Sequence, residues 1–328
     1  MSKLYDELES RINGFDLTEE QKNEILRIIL ENKDKKANVL ITGATGCGKS
    51  STINAMFNSE KARVGTSPNP ETMEITKYEL NNLTLWDSPG LGDGVEADKR
   101  HADGIKNLLL EKDGNGNLLI DVVLVILDGS SRDIGTSTQL ITDVIIPNLK
   151  DEKRLIVAIN QADMAMKGNH WDYENHKPDE ILNSFLEDKV KSIQKRIEES
   201  TGIHVNPVYY SAGYKEEGCT QDPPYNLTKL LYYIMESVPA EKRLVVIDQV
   251  NDDESVWNYD DEEEDYKEEI VTSVTESFAE KLSNYKEIAD AITDCIPIPG
   301  AKAVGRVVAV GVAVLSTIAG GIRDFFGW

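Results

Sequence analysis

The chain contains few cysteines and few cations for its 328 residues. Its three cysteines lie far apart and form no C-x-x-C pair, so a disulfide framework and a thiolate zinc site are excluded and a reducing compartment is indicated. Lys and Arg total 35 against 58 Asp and Glu, which gives a formal net charge of -23. Because contact with nucleic acid phosphates needs clustered cations, this balance argues against direct RNA binding.

Long apolar runs are also scarce. One uncharged run, residues 307–322, lies between Arg306 and Arg323 and precedes two phenylalanines and a tryptophan. At about 1.5 Å per helical residue, it is shorter than the ~30 Å apolar core of a bilayer. Two interpretations stay open: the run packs within a helical domain, or residues 301–328 contact a membrane. The charged start of the chain shows no signal peptide, so we expect a cytoplasmic location, with membrane association under the second interpretation.

The most informative segment that is present is residues 43–50, which match the pattern G-x-x-x-x-G-K-[ST]. It follows an apolar strand at 37–42 and precedes a helix that begins near Lys49, which is the setting this motif requires. Glycines allow a tight turn that aims backbone N–H groups at phosphates, and we expect Lys49 to reach the β- and γ-phosphates and Ser50 to bind Mg²⁺. The residues expected to contact the nucleotide here are Gly43, Ala44, Thr45, Gly46, Cys47, Gly48, Lys49, Ser50 and Ser51.

A second box, Asp87-Ser88-Pro89-Gly90, follows the apolar strand at 83–86. A carboxylate at the end of a strand can hold Mg²⁺ through water, so Asp87 joins Ser50 as a predicted metal residue. The amide of Gly90 can face a γ-phosphate, as a phosphate sensor must. We therefore assign Gly90, together with Lys49, to the catalytic residues.

A third box, Asn160-Gln161-Ala162-Asp163, ends the apolar strand at 155–159. The Asp163 carboxylate can accept two hydrogen bonds from the edge of guanine, whereas adenine offers no such pair of donors. The sequence therefore predicts a guanine nucleotide, with Asn160, Gln161 and Asp163 at the base.

Together these boxes resemble those of the Era- and TrmE-like GTPases, including the 50S-ribosome-binding type, over residues 36–240. The resemblance implies an α/β P-loop GTPase fold of three layers with a mainly parallel sheet. It also implies GTP/GDP and Mg²⁺ as cofactors, and hydrolysis of GTP. Ser211-Ala212 resembles the fifth box, in which the Ala212 amide meets the guanine oxygen; a plain strand-to-loop turn is the alternative.

The same resemblance singles out a threonine of the first switch. Thr72 parallels the family's Mg²⁺-coordinating threonine immediately before the second strand, and we assign it metal-binding and catalytic roles. Thr66 and Thr76 are its competitors. No catalytic base is assigned, because phosphoryl transfer depends on positioning and charge neutralisation.

Three residues depart from related patterns. Gln161 stands where the family has a lysine, which removes a charge beside the phosphate loop. Leu91 stands where Ras-type proteins carry the glutamine that orients water, which implies slow hydrolysis that is raised by dimerisation through the G domain, a partner or another residue. Gly46 replaces the asparagine that holds potassium in some relatives, which argues against potassium activation.

Three regions follow from the pattern of the whole chain. Residues 1–35 predict helices, residues 36–240 the GTPase domain, and residues 241–328 a helical region with an acidic linker and an apolar hairpin. A helical accessory domain built from both ends also resembles the immunity-related and dynamin-like GTPases. The predicted function is a slowly hydrolysing, GTP-dependent switch; the alternatives are a ribosome-assembly GTPase and a dynamin-like, membrane-acting GTPase.

Overall fold

The computed structural model describes residues 3–14, 18–57, 63–66, 75–90, 92, 94–131, 134–213, 222–283 and 304–328. The chain divides into two compact units. The sheet unit contains residues 37–238 and 249–264, and the helical unit contains residues 1–36, 239–248 and 265–328. The predicted α/β fold class with additional helices from both ends of the chain is confirmed.

Seven strands of the described chain form one sheet in the order β2-β3-β4-β1-β5-β6-β9. Strands β1, β4, β5, β6 and β9 run parallel, whereas β3 is antiparallel to β4 and β2 to β3. The strands are β1 (Ala37–Gly43), β2 (Arg63–Thr66), β3 (Thr76–Leu80), β4 (Leu83–Asp87), β5 (Val122–Asp128), β6 (Leu155–Asn160) and β9 (Val208–Tyr209). A separate hairpin pairs β7 (Trp171–Asp172) with β8 (Lys177–Pro178).

Burial explains why the central strands are continuous apolar runs. Both faces of a parallel sheet are covered by helices, so successive side chains on either face are removed from water. Every residue of β1 and of β6 is buried, as are all but the last of β5. The phosphate loop and the third box lie at the carboxyl ends of β1 and β6, and the second box lies at the carboxyl end of β4, which neighbours β1. The segment 205–210, directly before the fifth box, predicts a strand, but β9 covers only two of these residues, and Pro207, which lacks a backbone N–H, directly precedes it.

Helices flank the sheet. They are α3 (Lys49–Met56), α4 (Val95–Leu110), α5 (Gly135–Gln139), α6 (Ile146–Asn148), α7 (Glu180–Thr201) and α8 (Leu227–Ser237), and a π-helical turn at Leu140–Ile145 joins α5 to α6. The long α7 has strong local signals at both ends. The Asp179 carboxylate accepts hydrogen bonds from the N–H groups of Ile181 and Leu182, and Gly202 closes the helix with a left-handed φ of +74°.

The acidic segment 249–264 belongs to the sheet unit rather than to the C-terminal region in which the sequence analysis placed it. Trp257 is buried, and the ammonium of Lys229 on α8 contacts the carboxylates of Asp261 at 2.6 Å and Glu263 at 2.8 Å. The Asp261 N–H also donates a hydrogen bond to Oδ1 of Asn226 at 2.8 Å. These contacts are made by residues that are distant in sequence, so charge composition alone does not reveal them.

The helical unit contains α1 (Lys3–Asn13), α2 (Glu19–Lys33), α9 (Arg243–Ile247), α10 (Tyr266–Ser283) and α11 (Val304–Phe326). The predicted apolar stripe of α1 is buried, and so are Ile318, Ile322 and Phe326 of α11. The Arg323 guanidinium binds the Glu268 carboxylate of α10 at 2.6 Å. None of the helices within the described residues combines the length and apolarity that a membrane crossing requires.

Candidate functional site

The phosphate loop connects β1 to α3. Gly48 adopts a φ of +90° immediately before α3, and Gly46 a φ of +83°, so two left-handed turns curl the backbone around the start of the helix. The Lys49 ammonium lies inside this curl and donates to the carbonyl oxygens of Gly43 at 3.2 Å and Ala44 at 3.1 Å. A cation and the first N–H groups of a helix therefore face the same small space, which suits an anionic ligand.

The remaining residues of the loop differ in exposure. Thr45, Ser50 and Ser51 are exposed, whereas the Cys47 side chain is fully buried. Burial raises the pKa of the Cys47 thiol to about 11, so the thiol stays protonated at neutral pH and its sulfur is inert. Only the backbone of Cys47 faces the ligand side of the loop.

Asp87 ends β4 next to β1, where it pairs in register with Ile41. Its Oδ1 atom is buried and has no hydrogen-bond partner among the described residues. Burial raises its pKa to about 6, against the opposing effect of the nearby Lys49 ammonium. A desolvated carboxylate oxygen without a partner, beside the phosphate loop, fits the oxygen chemistry that Mg²⁺ requires.

The pKa of Asp87 predicts a pH-dependent stability in the absence of nucleotide and Mg²⁺. Because the pKa is raised from 3.8 to about 6 on folding, the folded state holds this proton more tightly than the unfolded chain does. The stability that this group contributes is therefore present below about pH 4 and is lost as the pH rises to about 6. We expect Asp87→Asn to remove this decline and to raise the unfolding temperature at neutral pH. Thermal unfolding in EDTA across this range measures it.

The exposed Asp103 on α4 provides the control. Asp103→Asn should keep the wild-type decline between about pH 4 and pH 6, since Asp103 is exposed and this substitution leaves the buried carboxylate oxygen of Asp87 unchanged. An Asp87→Asn variant with the same pH profile as wild type would show that burial of Asp87 does not govern this window.

Gly90 lies directly on the phosphate loop. A Cβ atom at this position would stand 2.2 Å from Thr45 Oγ1 and 2.6 Å from the Thr45 backbone nitrogen, so only glycine fits. Nδ1 of His101, on α4, is 3.2 Å from the Gly90 carbonyl oxygen. The second box is therefore held against the loop by its backbone, which agrees with the sensing role predicted for the Gly90 amide.

The threonines of the first switch are only partly described. Thr72 lies outside the described residues, as do Leu91 and Cys219. Thr66 ends β2 and pairs with Thr76 at the start of β3, and Thr76 pairs in turn with Asp87 on β4. Both competitors of Thr72 thus have their backbones fixed in the sheet beside the carboxylate.

Asn160 connects the boxes. Its side-chain Nδ2 donates to the Cys47 carbonyl oxygen at 3.0 Å, and its Oδ1 accepts from the Ala212 N–H at 3.0 Å. The next residue, Gln161, has a left-handed φ of +62° and donates from Nε2 to the Gly46 carbonyl oxygen at 2.9 Å. One bonded set therefore joins the phosphate loop, the third box and the fifth, and Gln161 braces the loop without the charge of the family lysine.

Asp163 lies two residues beyond Gln161 on the same rim of the sheet, in a short 3₁₀-type segment (Ala162–Gly168) that is interrupted by non-helical backbone at Ala165, Met166 and Lys167. It is half-buried, and no hydrogen bond joins its carboxylate to another described residue. Ser211 supports the fifth box by accepting a hydrogen bond from the Gly213 N–H at 3.2 Å. The candidate residues for phosphate and for base thus lie along one edge, connected through Asn160 and Gln161.

Sequence reasoning missed two residues that hold this edge together. Tyr210, fully buried directly before the fifth box, has its hydroxyl 2.6 Å from Thr52 Oγ1 on α3, and Thr52 Oγ1 in turn donates to the Gly48 carbonyl oxygen at 2.9 Å. Lys189 on α7 contacts the turn after β5. No local pattern announces either contact, because the partners are far apart in the chain.

A family model described as 50S ribosome-binding GTPase matches residues 38–161, a range that includes the phosphate loop, Asp87, Gly90 and Asn160. In this segment the chain is similar to P-loop GTPases. Among curated proteins, the chain is 28% identical over 158 residues to a "Probable GTP-binding protein EngB" of Methanococcus maripaludis, covering 45% of this chain and 66% of that protein. It is 34% identical over 74 residues to T-cell-specific guanine nucleotide triphosphate-binding protein 2 of Mus musculus, covering 21% of this chain and 18% of that one.

Among solved structures, the chain is similar to a crystal structure of a probable GTP-binding protein engB, with 20% identity and a TM-score of 0.35. That match covers 61% of this chain and 98% of the other. The chain spans less than two thirds of the length of the curated relatives named above.

Proposed function

We propose that the chain binds GTP and GDP with Mg²⁺, hydrolyses GTP slowly, and acts as a nucleotide-dependent switch. The observation that carries this proposal is the bonded set around Asn160, which connects the phosphate loop to Ala212. On the same rim of the sheet, the Asp163 carboxylate has no hydrogen-bond partner among the described residues. A nucleotide that spans this edge would meet a cation at one end and a hydrogen-bond acceptor at the other.

In this proposal the chain binds the phosphates through the backbone of the loop and the Lys49 ammonium. Ser50, Thr72 and Asp87 hold Mg²⁺, which when bound neutralises charge on the β- and γ-phosphate oxygens. The Gly90 amide senses the γ-phosphate. The base is held by Asn160, Gln161, Asp163, Ser211 and Ala212.

Slow hydrolysis follows from the absence of a side chain that orients water after Gly90. The following residue is Leu91, whose alkyl side chain can neither donate nor accept a hydrogen bond. Loss of such a positioning group costs orders of magnitude in related phosphoryl transfers. Dimerisation through the GTPase domain, or another partner, would supply what is missing.

Single-turnover hydrolysis of GTP tests the proposal. Phosphate release should be measured over hours, at low and at high protein concentration, with Mg²⁺ and with EDTA. We expect slow release that requires Mg²⁺ and becomes faster per molecule at high concentration. Tight GTP binding with no phosphate release at any concentration would instead indicate a binding module that does not hydrolyse. Equal affinity for ATP and GTP would contradict the assignment of the base.

A ribosomal partner is the second candidate, because the matching family model is described as 50S ribosome-binding. The formal net charge of -23 opposes a large contact with RNA phosphates. Co-sedimentation with 50S subunits in the presence of GDP or a GTP analogue tests whether the chain binds this ribosomal subunit. Membrane contact through residues 301–328 also stays a prediction, and liposome flotation in both nucleotide states tests it.

A further inference from the structure

Lys189, on the middle of α7, makes an unusual set of contacts. Its ammonium donates to three main-chain carbonyl oxygens of one turn: that of Asp128 at 3.1 Å, Gly129 at 2.6 Å and Ser131 at 2.7 Å. All three N–H donors are therefore used, and no ion pair joins Lys189 to a carboxylate among the described residues. Burial lowers the pKa of Lys189, with the Asp128 charge opposing that effect. Removing a charged ammonium from water costs free energy, and here all three of its hydrogen bonds go to carbonyl oxygens of one turn. These bonds indicate that Lys189 holds the turn in a defined position.

The turn that Lys189 holds is fitted against the third box. The Gly129 N–H donates to the Asn160 carbonyl oxygen at 2.7 Å, and a Cβ atom at Gly129 would stand only 2.4 Å from that oxygen. Ser130 Oγ is 3.4 Å from Oε1 of Gln161. The same hydroxyl donates to Asp128 Oδ1 at 2.7 Å, which closes the turn on itself. A change in the turn therefore reaches the backbone from which Asn160 and Gln161 project.

We propose that Lys189 is a positioning residue for guanine recognition: it fixes the turn 128–131, which sets the orientation of Asn160 and Gln161. This inference rests on the proposed guanine-nucleotide function. Among the described residues, Lys189 makes no hydrogen bond to the phosphate loop itself. Its effect on nucleotide binding is therefore indirect and acts through Asn160 and Gln161, the two residues that the proposed function places at the base. It determines selectivity between purines more than the grip on phosphate.

The variant Lys189→Met tests this, because methionine keeps most of the alkyl stem and removes the ammonium. We expect the Kd for GDP to rise about tenfold, which is the size of effect expected for one lost hydrogen bond. The Kd for ADP should rise by a clearly smaller factor, because ADP lacks the guanine contacts, although Asn160 and Gln161 also hold the phosphate loop. The ratio of the two affinities, measured by calorimetry or by displacement of a fluorescent nucleotide, is the readout that a general loss of stability would not shift.

Three further variants complete the experiment. Lys195→Met is the matched control, because this lysine of α7 is exposed and its ammonium pairs with Glu199 on the same helix at 3.7 Å, so both affinities should match wild type. Lys189→Arg, which retains a charged donor, should restore part of the GDP preference. Ser130→Ala, at an exposed position, removes the hydroxyl between Asp128 and Gln161 and should lower the GDP to ADP ratio about two- to threefold, even if Lys189→Met does not fold.

The outcomes distinguish a failure of the proposed guanine-nucleotide function from a failure of the role proposed for Lys189. A wild-type protein without preference for GDP over ADP would overturn the proposed function. A wild-type preference that persists unchanged in Lys189→Met, or in Ser130→Ala where Lys189→Met does not fold, would overturn the role of Lys189 alone. An equal loss of GDP and ADP affinity would show that Lys189 supports the fold rather than base recognition.

Discussion

Replacing Asp163 with asparagine is expected to weaken GDP and GTP binding by about 10²- to 10⁴-fold and to strengthen binding of xanthine nucleotides. The carboxylate is half-buried and has no hydrogen-bond partner in the part of the chain that the structure describes, so in the proposed complex it accepts two hydrogen bonds from guanine. Hydrogen bonds to a charged group contribute about 1.5–3 kcal/mol each, and two of them correspond to this range. An asparagine amide meets the guanine donors with a donor of its own, whereas xanthine offers an oxygen at that position.

Titrations of GDP, XDP and ADP against wild type and Asp163→Asn measure this change. Asp188→Asn is the matched control, because Asp188 is an exposed carboxylate on α7 and should leave all three affinities unchanged. If Asp163→Asn bound GDP as tightly as wild type does, another residue would have to recognise the base.

The second large effect is expected for Gly48→Ala, which should abolish measurable nucleotide binding at micromolar concentrations. A Cβ atom at Gly48 would stand 2.1 Å from Asn160 Nδ2, and the φ of +90° is strained for any other residue. Asn160 would have to leave the Cys47 carbonyl and the Ala212 N–H. Two buried hydrogen bonds and the backbone strain together amount to about 3–7 kcal/mol.

Gly46→Ala separates the effect of the steric clash with Asn160 from the effect of backbone strain at a positive φ. Gly46 has a similar φ of +83°, but a Cβ atom there would meet nothing within 4 Å. Gly46→Ala should therefore lose about tenfold in affinity through backbone strain alone. Nucleotide titration and thermal unfolding of both variants give the comparison, and equal losses in the two would contradict the importance of the contact with Asn160.

Much of the fold was predictable because its signals are contiguous in the chain. The apolar runs predicted at 37–42 and 155–159 became β1 and β6, which end within one residue of those limits, and the glycine-rich turn before α3 has the backbone that its motif requires. The predicted fold class and family resemblance are confirmed. The assignments of the individual site residues stay predictions, and Thr72 lies outside the described residues.

Other features were not accessible from local pattern. The acidic segment 249–264 looked like a solvated linker, yet Trp257 is buried and Lys229 binds two of the segment's carboxylates. The replacement of the family lysine by Gln161 suggested a weakened brace, and the sequence could not show that its amide reaches the Gly46 carbonyl oxygen. In each case the deciding contact joins residues that are far apart in the chain.

The sequence by itself determined which chemistry the chain carries: a phosphate loop, carboxylates at strand ends, and a guanine-type box in an acidic protein. It did so because each of these depends on neighbouring residues and on the periodicity of burial. Only the tertiary structure decided how the boxes are held in register, through the two bonds of Asn160, the buried hydroxyl of Tyr210 and the three bonds of Lys189. Those contacts depend on distances across the folded sheet, which no stretch of sequence encodes on its own.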